Sequence, residues 1–231
     1  MAVVTFQLDY HTTWGQEVCI SGSTPELGNF NESEGLLLKF DGNTWFADVN
    51  ISESKEISYY YFIKQGNSVI RREWGTHRKV YIIKSKKQFV VQDLWKNKPY
   101  HHYLYSSVFT DTVFSHNKTT RTPKYFNQSI LLNVICPYVS REQLLSISGN
   151  CDELGNWDVA KSLKLTPTEN GVWQIVLNAA KLPAKVNYKF VIIDKATKEL
   201  VFWEDGGNRF LIAEKAQKDG TVFIEMALQF H

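Results

Sequence analysis

Ser21-Gly22-Ser23-Thr24-Pro25-Glu26-Leu27-Gly28-Asn29-Phe30 and Ser148-Gly149-Asn150-Cys151-Asp152-Glu153-Leu154-Gly155-Asn156-Trp157 are one stretch written twice. Ser, Gly, Glu, Leu, Gly and Asn hold the same places in both, and each copy ends on an aromatic residue. Gly and Pro punctuate the first copy, so it reads as a long irregular connection. Its flanks decide what is connected. Upstream, Val4, Phe6 and Leu8 alternate with Thr5, Gln7 and Asp9, the period of a half-buried strand. After Trp14-Gly15 comes Val18-Cys19-Ile20. Downstream, strands are expected over 36–40, 44–51, 57–64, 68–72, 78–83 and 89–95, with Asp41-Gly42-Asn43 as a hairpin turn. Helical periodicity is almost absent. Short strands with regular turns define an all-β sandwich or barrel.

The second copy carries the same neighbours. Val172-Trp173 echoes Thr44-Trp45, Tyr188-Lys189-Phe190-Val191 echoes Tyr60-Tyr61-Phe62-Ile63, and Trp203 echoes Trp74. Strands are expected over 130–136, 144–148, 163–166, 172–177, 186–193, 200–203, 209–212 and 221–229. The nearly constant offset predicts two copies of one domain rather than a solenoid. Their bounds read as 1–96 and 129–231, joined by a connection over 97–128 where the alternation breaks. Val108, Phe109, Val113 and Phe114 are too apolar for a free linker, so part of that connection is expected to pack on a domain surface.

Composition excludes several classes. The formal charge of the 231 residues is only +2, which argues against a dedicated nucleic-acid binder. No run approaches the roughly 20 apolar residues of a membrane span. Met1-Ala2-Val3-Val4-Thr5-Phe6 enters the alternating pattern directly, without a basic and apolar leader, which predicts a cytoplasmic chain. Cys19, Cys136 and Cys151 are odd in number and widely spaced, unlike a disulfide framework or a zinc site. His101-His102 has no metal-ligand spacing. No Ser-His-Asp signature, phosphate-cradling loop or HExxH motif occurs. Neither a cofactor nor a metal is expected.

The stretch that points to chemistry is Trp203-Glu204-Asp205-Gly206-Gly207-Asn208-Arg209. Two glycines allow a tight reversal, because neither carries a Cβ to clash at positive φ. A Trp face beside hydrogen-bonding side chains suits a sugar ring, whose C–H face stacks on indole while its hydroxyls bond at the rim. Glu204 and Asp205 are adjacent on one turn, so they would not flank a scissile bond as a glycosidase pair does.

With these residues in hand, the pattern G-x-x-x-E-L-G-N-W, then a strand Trp, then Y-K-F, then W-E-x-G-x-N-R resembles carbohydrate-binding module family 20, the starch-binding domain. The resemblance covers both halves and implies two immunoglobulin-like antiparallel β-sandwich modules in tandem. Arg72-Glu73-Trp74-Gly75, Gln92-Asp93-Leu94-Trp95 and 107–114 are similar to the N-terminal region of the disproportionating enzyme type 2 form of 4-α-glucanotransferase. There, a glycoside hydrolase family 77 catalytic domain follows. No catalytic carboxylate set of that barrel is found in this chain, which therefore reads as a binding region, either a fragment or a stand-alone relative. The resemblance implies binding of starch, glycogen or maltodextrin, and a C-terminal catalytic domain as partner if the protein is longer.

The family's site, carried over, falls on Trp157, Lys189, Trp203, Glu204 and Asn208. The Trp pair would stack on adjacent glucose rings, Lys189 would donate, Glu204 would accept and Asn208 would do both. Each Trp taken alone reads equally as core. Trp173, inside an alternating strand, reads as core. In the first module the same reading places Phe30 at Trp157, Tyr61 at Lys189, Trp74 at Trp203 and Gly75 at Glu204, with a shortened turn that has lost its Asn. That site binds more weakly, binds another glucan shape, or is structural; His77 and Arg78 either replace some of the lost hydrogen bonds or, the plainer reading, form a solvated turn. Trp14 sits where a second family surface has its aromatic, with Arg141 and nearby Tyr138 at the matching place; its plain reading is cover for the sandwich edge. Two rival functions stand beside glucan binding: a protein-interaction module that has lost sugar binding, and an intrinsic transferase or hydrolase.

Overall fold

The computed structural model describes residues 1–51, 53, 55–97, 122–168 and 171–230. Met1–His102 and Tyr103–His231 form two compact units. Most of the expected connection, including Val108, Phe109, Val113 and Phe114, lies outside the described residues. No helix among those described is long and apolar enough to cross a membrane.

The first unit comprises β1 (Ala2–Asp9), β2 (Gln16–Gly22), β3 (Leu36–Leu37), β4 (Lys39–Phe40), β5 (Trp45–Ile51), β6 (Lys55–Gln65), β7 (Ser68–Arg72), β8 (Arg78–Ile82) and β9 (Gln88–Leu94). One sheet runs β4-β5-β1-β9, the other β3-β2-β6, with β7 and β8 following one another along the free edge of β6. Alternation in β1 does what it predicts: Val4, Phe6 and Leu8 are buried. Phe6 meets Tyr59 of β6 across the sandwich, ring centres 4.8 Å apart. Each such side chain taken from water contributes about 1.5–3 kcal/mol. The Asp41-Gly42-Asn43 hairpin forms, with Asp41 Oδ1 accepting from the Asn43 and Thr44 amides at 2.9 and 2.8 Å. One pairing departs from the antiparallel expectation: β1 and β9 are parallel.

The second unit comprises β10 (Ser129–Ile135), β11 (Gln143–Gly149), β12 (Leu163–Lys164), β13 (Thr166–Pro167), β14 (Val172–Asn178), β15 (Lys185–Asp194), β16 (Leu200–Trp203), β17 (Arg209–Ile212) and β18 (Thr221–Gln229). Its sheets are β13-β14-β10-β18, with β10 and β18 parallel, and β12-β11-β15, with β16 and β17 in succession along the free edge of β15. Ile130, Leu132 and Val134 of β10 and Val186, Tyr188 and Phe190 of β15 fill its core. Trp173 is buried there too, its indole N–H donating to the Cys136 carbonyl at 3.0 Å. Cys19, Cys136 and Cys151 are free and buried.

The duplicated stretch is less irregular than its Gly and Pro content predicts. Its first two residues complete β2 and β11, and its last six form a 3-10 turn, Pro25–Phe30 or Asp152–Trp157.

Candidate functional site

Leu154 anchors the second 3-10 turn in the core, and the Ser148 hydroxyl donates to the Leu154 carbonyl at 3.4 Å. From there the backbone enters the left-handed region for three residues in a row, Gly155 (φ 78°), Asn156 (φ 51°) and Trp157 (φ 65°). That region is costly for residues with a Cβ. A Cβ on Gly155 would also lie 2.8 Å from the Lys161 Cβ, so glycine is required there. The turn delivers Trp157 half-buried beside Trp203, which ends β16 opposite Val191 of β15. The two indole centres are 6.2 Å apart with planes at 52°. Two tilted aromatic faces can hold successive rings of a curved chain, where parallel faces would demand a flat one.

Glu204 begins the reversal between β16 and β17. Its amide donates to the Phe190 carbonyl at 3.1 Å, and its Oε1 accepts from the Phe190 amide at 2.8 Å. Arg209, five residues on, donates its Nε to the same carboxylate at 2.9 Å. Glu204 is only 2% exposed. This corrects its expected role as a sugar acceptor: the carboxylate closes the turn from beneath, because a buried charge needs a fixed partner. Lys189 bends over the same reversal and donates to the Glu204 and Gly206 carbonyls at 3.1 and 2.7 Å. An ammonium has three donors, so one remains for a ligand. Asn208 is exposed, and its amide has no partner among the described residues.

Strand register revises the first unit. Glu73 takes the place of Glu204: its amide donates to the Tyr61 carbonyl at 3.1 Å, its carboxylate accepts from the Tyr61 amide at 3.1 Å, and Arg78, again five residues on, binds it at 2.6 Å. Arg72 therefore stands at Trp203, paired to Phe62 as Trp203 is to Val191. Tyr60, opposite Ser21, stands at Lys189, opposite Ser148. His77, just before β8, stands at Asn208, just before β17. The Tyr61, Trp74 and Gly75 placements are each displaced from these positions, and the turn is not shortened. Tyr61 is a core residue whose hydroxyl donates to Asp93 at 2.8 Å. The half-buried Trp74 holds the reversal through its amide, which donates to the Lys96 carbonyl at 3.0 Å.

What the first unit presents is a different platform. Phe30 reaches it by the same left-handed turn (φ 64°). Its ring lies 4.7 Å from His77 at 22°, and His77 lies 5.0 Å from Tyr60 at 14°. His77, still exposed in the reversal, is thus also one of three near-parallel rings; partial desolvation and nearby Lys96 hold its pKa below the ordinary 6.5. Glu32 ties the platform down, accepting from Tyr60 at 2.9 Å and from both arms of Arg72 at 2.6 and 2.7 Å. Its carboxyl is held below the usual range chiefly by Arg72. A shallow pocket of about 220 Å³ opens among Tyr60, Arg72, Gly75, Thr76, His77 and Lys96. Burial, reinforced by Arg78, pushes the Lys96 amine down to about 8. Sequence reasoning passed over Tyr60 and Arg72; the Glu73-to-Arg78 spacing, repeated in Glu204-to-Arg209, is the signal that aligns the two turns.

Trp14 stands apart from either platform. It is 98% exposed, at the tip of a turn closed by the Gln16 amide donating to the Thr13 carbonyl at 3.1 Å. A side chain so exposed covers no sandwich edge, which removes the plain reading given to it above.

The starch-binding domain family model matches residues 1–92 and 127–222, well over half of the chain. The chain belongs to that family, and carbohydrate binding is the function the membership supports. It is 27% identical over 211 residues to the 4-alpha-glucanotransferase DPE2 of Oryza sativa subsp. japonica, covering 84% of this chain and 22% of that enzyme. It is 39% identical over 67 residues to an alpha-amylase of Streptomyces violaceus, covering 29% of this chain and 11% of the amylase. The chain thus spans less than a quarter of either relative. Among solved structures, the family 20 module of the maltotetraose-forming amylase from Pseudomonas saccharophila STB07 aligns with a TM-score of 0.35 at 22% identity, over 42% of this chain and 99% of that one.

Proposed function

We propose that the second unit binds an α-1,4-glucan, as in starch, glycogen or maltodextrin, by stacking successive glucosyl rings on Trp157 and Trp203. The observation that carries this reading is the tilt of the Trp pair, 52° at 6.2 Å, with polar donors at its rim. Asn208 and the remaining Lys189 proton take ring hydroxyls, and the Glu204–Arg209 pair keeps the reversal rigid. The first unit offers a second, differently built platform, and exposed Trp14 a further contact. Few rings are buried per site, so each binds in the millimolar to micromolar range, about −4 to −8 kcal/mol. Two units on one polymer raise the effective concentration and strengthen attachment. In this reading the chain breaks no bond. It anchors a catalytic domain such as a 4-α-glucanotransferase to polysaccharide, and its three free buried thiols suit a reducing, cytoplasmic setting.

Native gels with and without embedded glycogen or amylopectin test the reading. The wild-type chain is expected to be retarded, and Trp203→Ala to lose most of the effect. A wild-type chain that runs unretarded at millimolar glucan would overturn it and leave the protein-interaction reading in front.

A further inference from the structure

Beyond the Trp pair, β17 carries two exposed apolar side chains, Phe210 and Ile212, along the edge of β15 that the proposed site does not use. Side chains paired across adjacent strands share a face, and residues two apart along a strand repeat it. Trp203 stands opposite Val191, Phe210 opposite Asn187 and Ile212 opposite Lys185. Positions 191, 189, 187 and 185 therefore share one face with Trp203, Phe210 and Ile212. The register offset of 191 to 187 puts Phe210 about 13 Å along the sheet edge from Trp203.

Phe210 is 64% exposed and Ile212 is exposed beside it. A lone exposed Phe is ordinary on a protein surface; what singles this one out is the set of polar groups beside it. Its cross-strand neighbour Asn187 uses its backbone groups on Asn150, the Asn187 amide donating to Asn150 Oδ1 at 2.8 Å. Neither side-chain NH₂, of Asn187 or of Asn150, has a partner among the described residues. An exposed aromatic face flanked by unspent amides is the combination that takes a sugar ring, in which apolar C–H groups meet the ring and hydroxyls meet the amides. An apolar protein partner would leave those amides unpaired on burial, which costs affinity. In the first unit Lys79 holds the register place of Phe210, opposite Ser58, and pairs with Glu56 at 3.9 Å, while Tyr81 holds the place of Ile212.

We infer that Phe210, with Asn187 and Asn150, forms a distal subsite of the second unit that stacks a further glucosyl ring of the chain held by Trp157 and Trp203. The inference rests on the glucan reading of the Trp pair and sets the length of glucan the unit prefers. Short oligosaccharides occupy the Trp pair alone; longer ones gain the Phe210 contact.

Calorimetric titration of the full chain with maltotriose and with maltoheptaose separates the two. The wild type is expected to bind the heptaose more tightly. Phe210→Ala is expected to lower heptaose affinity about three- to tenfold, the worth of one aromatic stacking contact, and to leave triose affinity unchanged. Asn187→Ala should repeat the pattern more weakly, and Phe210→Tyr should restore it. Trp203→Ala should weaken both sugars, which marks the Trp pair. If Phe210→Ala binds both sugars like the wild type while Trp203→Ala binds neither, the subsite is overturned and the Trp-pair reading stands. If the wild type binds neither sugar, both fall. If Phe210→Ala instead abolishes a concentration-dependent self-association seen by sedimentation and leaves heptaose binding intact, this edge is a protein interface and the subsite is overturned.

Discussion

The reversal over 72–78 and the reversal over 203–209 are built on the same frame and present different surfaces. In both, a buried glutamate grips the backbone amide of the central strand and an arginine five residues later. On that frame the second unit mounts Trp203, Asn208 and Lys189, and the first mounts Arg72, His77 and Tyr60. The frame is electrostatic and buried, so a change there costs folding; the mounted residues lie at the surface, so they vary without disturbing the sandwich. Below the frame the units also differ. Asp93 in the first unit is fully buried, accepts from Tyr59 and Tyr61 at 2.9 and 2.8 Å, and pairs with Arg78 at 2.8 Å. The second unit has Phe190 at the place of Tyr61, without the hydroxyl; the arginine stacks over that ring in both, Arg78 at 5.6 Å and Arg209 at 5.3 Å.

The largest effect is expected from breaking the frame. Glu73→Ala strips partners from the Tyr61 and Lys96 amides and from Arg78, and should cost the first unit about 3–5 kcal/mol in urea unfolding. Glu204→Ala should cost the second unit about 2–4 kcal/mol, less because Arg209 retains some contact with water. Equal costs would mean that the shared frame outweighs the extra partners of Glu73. Next in size is the platform itself: Trp203→Ala should weaken maltoheptaose binding by the second unit about tenfold or more, with the unfolding midpoint little moved. In that background, Arg72→Trp, His77→Asn, Tyr60→Lys and Phe30→Trp together copy the second platform onto the first frame, and regained glycogen retention in a native gel would show that the frames are interchangeable.

Trp14→Ala should leave stability within about 0.5 kcal/mol, as for other exposed side chains, and reduce retention on insoluble starch. The smallest effect concerns His77. Its folded pKa lies below the ordinary 6.5, so the unfolded chain takes up the proton first. The stability from neutral His77 is fully present above pH 6.5 and is lost as pH falls below it. His77→Asn should flatten this part of the pH profile between pH 7.5 and 5 relative to the wild type.

Much of the fold was legible in order. Alternation in β1, the Asp41 hairpin and the strand carrying Trp173 follow from local chemistry, because period-two burial and turn residues act over a few positions. The aromatic pair of the second unit was also legible, since Trp157 ends one marked turn and Trp203 opens another. Other assignments were not. Trp74 resembles Trp203 in letters, and only pairing with β6 shows Arg72 in that place. Glu204 looks like a surface acceptor until the Phe190 amide and Arg209 bury it. His77 looks like a loop residue until Phe30 and Tyr60, far away in sequence, bring their rings to it. The sequence by itself determined the sandwich architecture, the family and the aromatic end of each duplicated turn, because these depend on local periodicity and backbone preference. The tertiary structure decided which residues share a surface: register across β6 and β15 is set by long-range pairing, and one step of register turns every side chain to the opposite face.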